Sequence, residues 1–299
     1  MIALALAAPT VHEMRRQMDA YAVQADLFEL RVDALAHKDI GELLRDRPRP
    51  VIITNRASWE GGWSNDEESV RIGILLDAVQ RGAEYIDCEL AAVHQLVGRD
   101  VHPTQLILSS HDFDAMPDLK ALHRRCVEAG ADIAKVVGTA HSLGDALAVL
   151  RFLAQADAAP TIALAMGSKG LLTRLLAPRF GGYLTFAAPD KLAGTAPGQI
   201  SLTRMREGYR VHELTRQTRI YGCLTVTMSV HDRLAAATHT LRNRGQDAIV
   251  VPLNVQGEEI PPIIEECRSL GMVAFAHALP FSPATMNLPL LEDVLEEWV

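Results

Sequence analysis

No stretch of this 299-residue chain approaches the roughly 20 consecutive apolar residues that a membrane-spanning helix needs. Positive charge is also scarce: 29 Lys+Arg stand against 37 Asp+Glu, a net charge of −8. A nucleic-acid backbone is bound by clustered positive charge, so this acidic chain is expected to be a poor general nucleic-acid binder. A small anionic substrate is not excluded, provided a few arginines converge. The four cysteines, Cys88, Cys126, Cys223 and Cys267, form no CxxC pair, which argues against the common metal and redox motifs. They read as reduced, partly buried thiols of a cytoplasmic protein. The apolar start, residues 1–8, has no basic residue ahead of it and reads as a first buried strand rather than a signal peptide. There is no low-complexity segment and no repeat of fixed period. With 48% hydrophobic and 22% charged residues, the chain is neither disordered, nor collagen-like, nor a small disulfide scaffold. At roughly 150 residues per domain, the length allows about two domains, or one barrel with an appendage.

What is present is a rhythm. Short apolar runs lie near 2–6, 26–32, 50–55, 84–89, 105–110, 132–138, 161–166 and 183–187, each followed by a helix-like segment such as 66–82 or 141–156. Ile72, Leu75, Leu76 and Val79 fall at helical spacing and make one apolar face. The runs are apolar at nearly every position, as in parallel strands covered on both sides. Eight strand–helix units predict an α/β fold, a (β/α)8 TIM barrel, with an open doubly wound sheet as the competitor. A helix-like stretch runs from Gln199 to about Leu214. A second α/β pattern follows: a strand from Arg219, a helix over about 229–244, a strand at 247–252, a helix at 257–270, a strand at 272–277 and a short last helix. The boundary falls near 217, giving units of 1–216 and 217–299.

There are only five lysines: Lys38, Lys120, Lys135, Lys169 and Lys191. Lys135 lies inside the apolar strand Asp132-Ile133-Ala134-Lys135-Val136-Val137. An ammonium there needs a partner or a lowered pKa, and a neutral buried amine is what a Schiff-base nucleophile requires. From the strand alone, a structural lysine that snorkels or pairs with an acid is the slightly stronger reading. His111 ends the run Leu106-Ile107-Leu108-Ser109-Ser110-His111. That is the end of a barrel strand where active sites lie, and histidine suits proton transfer; taken singly, a capping or loop histidine is more common. Glu29, Arg31 and Asp33 alternate along one strand and so share a face, either a barrel mouth or a solvated edge. The run from Ile53 to Gly62 ends a strand with Arg56, Glu60 and a Gly-Gly loop. Arg174 follows a strand end at the start of a helix, a normal place to bind an anion. Gly194-Thr195-Ala196-Pro197-Gly198-Gln199 is a small-residue loop past the last barrel strand.

In order and wording, these segments resemble type I 3-dehydroquinate dehydratase, the Schiff-base enzyme of the shikimate pathway. The matching strings are ELRVD, R-x-x-x-E-G-G at 56–62, SSHDF, DIAK, MG-x-x-G-x-x-x-R at 166–174 and TAPGQIS, spread over about residues 26–201. The resemblance implies Lys135 as the imine-forming lysine, His111 as the general acid/base and Glu60 as the acid that orients it. It implies Glu29, Arg31 and Arg56 as groups that grip substrate hydroxyls and line the site. Arg174 becomes the carboxylate-binding arginine, and Gln199 with Thr195 belongs to the loop that closes over substrate. The family usually has serine at Thr195, where the hydroxyl is retained. The family's cap before the first strand is absent here, which leaves the barrel floor less covered. By this resemblance Lys135 attacks the substrate ketone, the iminium acidifies the neighbouring proton, His111 removes it, and a hydroxyl leaves. The iminium makes a metal or organic cofactor unnecessary. The implied partner is a small carboxylate, 3-dehydroquinate, with no nucleic acid and no membrane. Two other readings are another Schiff-base lyase or aldolase on the same barrel, and a non-catalytic sensor of a pathway intermediate.

Residues 218–292 more faintly resemble the substrate-binding half of shikimate dehydrogenase, with Thr227-Met228-Ser229 in place of an S-x-S motif. No lysine follows Lys191, so that family's catalytic lysine is missing, as is its nucleotide-binding domain. The segment is expected to serve packing or homodimerisation, with a retained shikimate-like ligand site as the third option.

Overall fold

The computed structural model describes residues 1–191, 194–227, 230–255, 260–278 and 288–298. Eight parallel strands follow one another around a nearly closed ring: β1 (Ile2–Leu6), β2 (Leu27–Arg31), β3 (Val51–Thr54), β4 (Tyr85–Glu89), β5 (Gln105–His111), β6 (Ile133–Thr139), β7 (Thr161–Met166) and β8 (Thr185–Ala187). Each strand from β1 to β6 pairs with the next, and β8 returns to pair with β1, leaving the seam between β7 and β8. Between β7 and β8 the seam is drawn together by Tyr183 N–H donating to Thr161 O at 2.8 Å. This is the TIM-type barrel expected from the eight apolar runs, and each strand matches its run to within two residues at either end, with β5 and β6 each running one residue past it.

The crossovers are less regular than the rhythm suggested. Helices α1 (Val11–Tyr21), α2 (Ile40–Leu44), α3 (Glu68–Gln80), α4 (Leu119–Glu128), α5 (Leu143–Gln155) and α6 (Leu171–Leu176) cover the barrel, but only a 3-10 helix, Leu90–Leu96, links β4 to β5. The α5 start is well specified: Ser142 and Asp145 form a reciprocal capping box. In α3 the buried line is Arg71, Ile72, Leu75 and Ala78. Leu76 and Val79, expected on the same face, are only partly buried against the core. The stretch after Gln199 is not one helix. It contains a π-helical turn, Arg204–Gly208, and breaks at Arg210, which takes a left-handed φ of 52°.

The floor of the barrel is not left open. Tyr85 begins β4 and Tyr183 precedes β8, on opposite sides of the ring, and their hydroxyls meet at 2.9 Å across the N-terminal end.

A second, three-stranded parallel sheet has the order β10 (Ala248–Asn254), β9 (Arg219–Thr225), β11 (Met272–His277), with α7 (His231–Asn243), α8 (Ile260–Ser269) and α9 (Leu291–Trp298) around it. Its buried residues join those of the barrel in one continuous apolar core. The sheets are also stitched by polar contacts: Tyr209 Oη to His231 Nδ1 at 2.8 Å, Arg204 to Asp232 at 2.6 Å and Arg179 Nε to Thr218 O at 2.9 Å. Met228 and Ser229 of the motif noted above lie outside the described residues. No helix among the described residues is long and apolar enough to cross a membrane.

Candidate active site

Side chains on a barrel strand alternate between core and helix layer, and inward positions on alternate strands stack in shared layers. Glu29 on β2, Asp87 on β4, Lys135 on β6 and Phe186 on β8 form such a set, and three of the four are ionisable. The Lys135 ammonium donates to Asp87 Oδ2 at 2.8 Å and to Glu29 Oε1 at 3.4 Å, and sits 4.6 Å above the centre of the Phe186 ring. Lys135 thus has the acidic partners that its burial demands, and the two carboxylates aim its nitrogen across the barrel.

Above this layer a narrow cavity opens toward the C-terminal ends of the strands. It is lined by Glu29, Arg31, Arg56, Glu60, His111, Lys135, Arg174, Thr195 and Gln199, so the nine residues given roles by the family resemblance meet in one place, whereas Asp33 does not line it.

His111 ends β5, and its backbone N–H donates to Glu60 Oε1 at 2.7 Å. The other Glu60 oxygen lies 3.8 Å from His111 Nδ1, a ring nitrogen that is buried with no hydrogen-bond partner. Phe113 stacks on the imidazole, with centroids 6.5 Å apart. Burial, reinforced by the nearby Arg56 and Lys135 charges, pushes the His111 pKa well below 6.5, against the opposing pull of Asp87 and Glu29. The ring is therefore neutral near pH 7 and able to accept a proton. Burial raises the pKa of Glu60, although Arg56 and the His111 amide counteract it.

The two arginines at this site behave oppositely. Arg56 is fully engaged: Nη1 donates to Glu60 at 3.2 Å, Glu89 at 2.9 Å and Ser109 at 2.8 Å, and Nη2 to Asp87 at 2.6 Å. Burial alone would lower its pKa, but Asp87, Glu89 and Glu60 together raise it. Arg56 thus organises carboxylates rather than offering free donors. Arg174, on α6, is only 2% exposed and has little to hold. Its Nη2 reaches Pro197 O at 3.2 Å, while Nε is buried without a partner. Burial lowers its pKa to about 10, with only Glu29 opposing. A buried guanidinium with spare donors has the chemistry to accept a carboxylate.

Arg31 is a third case. The chain turns into a 3-10 helix at Val32–Ala34, so Asp33 folds back and grips Arg31 through two bonds of 3.0 and 2.7 Å. Trp63 stacks on the guanidinium at 4.6 Å. Across the cavity, Gln199 Oε1 accepts from Thr195 N at 2.8 Å and Ala196 N at 3.4 Å, which holds the 194–199 loop in a compact turn.

Sequence reading missed Asp87, Glu89, Ser109 and Arg71. Asp87 accepts from Lys135, Arg56 and Ser109 together, the last at 2.6 Å. Burial would raise its pKa, but Arg56 and Lys135 overcome that and hold the carboxyl far below the carboxylate range. Arg71, fully buried on α3, reaches Glu89 at 2.6 Å and Asn55 O at 2.8 Å. The signal was available: Tyr85-Ile86-Asp87-Cys88-Glu89 alternates acids with apolar residues, as the Glu29 strand does.

A model of the type I 3-dehydroquinase family matches residues 2–216. The chain belongs to that family. Its barrel is therefore that of a 3-dehydroquinate dehydratase, a hydro-lyase of the shikimate pathway. A chloroplastic bifunctional 3-dehydroquinate dehydratase/shikimate dehydrogenase of Arabidopsis thaliana is 30% identical over 279 residues, covering 90% of this chain and 46% of that protein. The chain thus spans about half the length of that relative. The crystal structure of 3-dehydroquinate dehydratase from Geobacillus kaustophilus superposes with a TM-score of 0.63 at 28% identity, over 69% of this chain and 88% of that one. The dehydroquinate dehydratase and shikimate dehydrogenase of S. pombe AroM shares the fold over 93% of this chain and 56% of that one, with a TM-score of 0.60 at 22% identity. The last likeness extends over the three-stranded sheet as well as the barrel.

Proposed function

We propose that the chain dehydrates 3-dehydroquinate to 3-dehydroshikimate through an imine on Lys135. Arg174 takes the substrate carboxylate, which fixes the ring over the cavity floor. Lys135 Nζ adds to the C3 ketone, and loss of water gives a protonated imine. That cation is an electron sink for the adjacent C–H bond. Neutral His111 removes the C2 proton, and the electron pair moves to form an enamine. The enamine expels the C1 hydroxyl, which takes a proton from the imidazolium, so the histidine returns to its starting state. Water then hydrolyses the new imine and frees the lysine. Glu60 positions His111 through its backbone amide. Glu29 and Arg31 hold substrate hydroxyls, and the Thr195–Gln199 loop closes over them.

The observation that carries this reading is the pairing of a buried lysine, held by two carboxylates, with a buried arginine that has donors to spare. The unpaired, buried cysteines fit a cytoplasmic enzyme, although the Arabidopsis relative is named as chloroplastic. We read residues 1–216 as the catalytic unit and 217–299 as an appended unit that serves packing or homodimerisation, without nucleic-acid or membrane partners. The test is turnover of dehydroquinate, followed by the ultraviolet absorbance of the conjugated product. No turnover by the folded chain would remove the proposal.

A further inference from the structure

One contact between the small sheet and the barrel lies directly beneath the closing loop. β7 ends at Met166 and α6 begins at Leu171, so residues 167–170 form a tight turn closed by Gly170 N–H donating to Gly167 O at 3.1 Å. The 194–199 loop rests on this turn backbone to backbone: a Cβ on Gly198 would lie 2.4 Å from Gly167 O, and Gly198 has a φ of 79°. The same turn leads into α6, whose Arg174 holds Pro197 O of that loop. The turn therefore sets both the loop and the arginine that faces the substrate.

Lys169 ties this turn to the other sheet. Its ammonium donates to Asn254 O at 2.9 Å, at the C-terminal end of β10. α6 itself packs on β10. A charged donor on a carbonyl is a directional link, whereas apolar packing tolerates sliding.

We propose that Lys169 is a positioning residue, through which the appended sheet holds the β7–α6 turn in register beneath the 194–199 loop. Its kinetic consequence rests on the dehydratase reading above; its structural consequence does not. The appended unit then acts on substrate affinity without contributing a group to the chemistry.

The test uses the full chain with Lys169→Met, Lys169→Arg and, as a control, Arg151→Ala. The control removes the Arg151–Glu266 ion pair between α5 and α8, elsewhere on the same interface. Lys169 is partly exposed, so the methionine is accommodated without strain. Hydrogen exchange at the Thr195 and Ala196 amides reads the loop directly, and dehydroquinate kinetics read its consequence. Lys169→Met should speed exchange at both amides and raise KM about tenfold, the order expected for one charged hydrogen bond, with kcat within about twofold. Lys169→Arg should restore both, and Arg151→Ala should change neither. Unchanged exchange in Lys169→Met, or an equal effect from Arg151→Ala, would overturn the inference. An inactive wild-type chain would sink the dehydratase reading alone, because the exchange measurement still decides this one.

Discussion

Arg174 offers the sharpest separation between function and stability. Its guanidinium is buried, its Nε has no partner, and its pKa falls to about 10. A fall of that size from the ordinary arginine value corresponds to roughly 3 kcal/mol of unfavourable charge burial in the ligand-free protein. A methionine of similar length fills the same buried space, so Arg174→Met should remove that penalty and lose only the bond to Pro197, about 1–2 kcal/mol. The expected net change is a gain of about 1–2 kcal/mol, a rise of a few degrees in Tm. Substrate binding should move the other way. Losing a buried charge-assisted pair with the carboxylate costs about 2–5 kcal/mol, so KM should rise by at least about 30-fold. Dehydroquinate should also raise the Tm of the wild type and leave that of Arg174→Met nearly unmoved. Thermal unfolding with and without substrate, beside steady-state kinetics, measures all three. A variant that is destabilised by more than about 1 kcal/mol yet keeps its KM would show that Arg174 is structural, and the reasoning would fail.

Other expectations follow from the same network. His111→Ala should still form the imine but turn over about 10²–10⁴-fold more slowly, the usual contribution of a general base; trapping with borohydride beside steady-state assay separates the two steps. Because the pKa of His111 is depressed, its neutral form persists on acidification, so the acid limb of kcat/KM should lie well below pH 6.5; a limb at or above 6.5 would contradict the geometry. Asp87→Asn should destabilise the chain by about 3–5 kcal/mol at pH 7, because Lys135 and Arg56 each lose a buried counter-charge. The folded-state pKa of Asp87 lies below its unfolded value, so its contribution is present above the unfolded pKa and lost as pH falls through the folded one; the gap between variant and wild type in urea unfolding should narrow in acid.

The fold was legible because its strands are buried on both faces and so are apolar throughout, and such runs betray their limits within a residue or two. The connections were less so. Nothing in the spacing of Leu90–Leu96 separates a 3-10 helix from an α-helix, and the break at Arg210 depends on a left-handed backbone that arginine seldom adopts. The floor of the barrel is closed by two tyrosines nearly a hundred residues apart in sequence, a pairing that only the ring brings about. For the site, the sequence pointed to each ionisable group that lines the cavity, because a charge inside or just after an apolar strand stands out. The partners that hold each group were hidden. Arg31, Arg56 and Arg174 look alike in sequence, and only their partners distinguish an arginine clamped by one acid, one bound into a carboxylate network and one left with open donors. Asp87 escaped notice because an acid within an apolar run gains its meaning from the lysine two strands away.

The proposed dehydration requires a covalent bond between Lys135 and the substrate. Incubating the full chain with dehydroquinate, reducing with borohydride and mapping the peptides by mass should place the reduced adduct on Lys135, and Lys135→Ala should give no adduct and no turnover. An active chain that carries no adduct, or carries it on Lys169 or another lysine, would contradict the account.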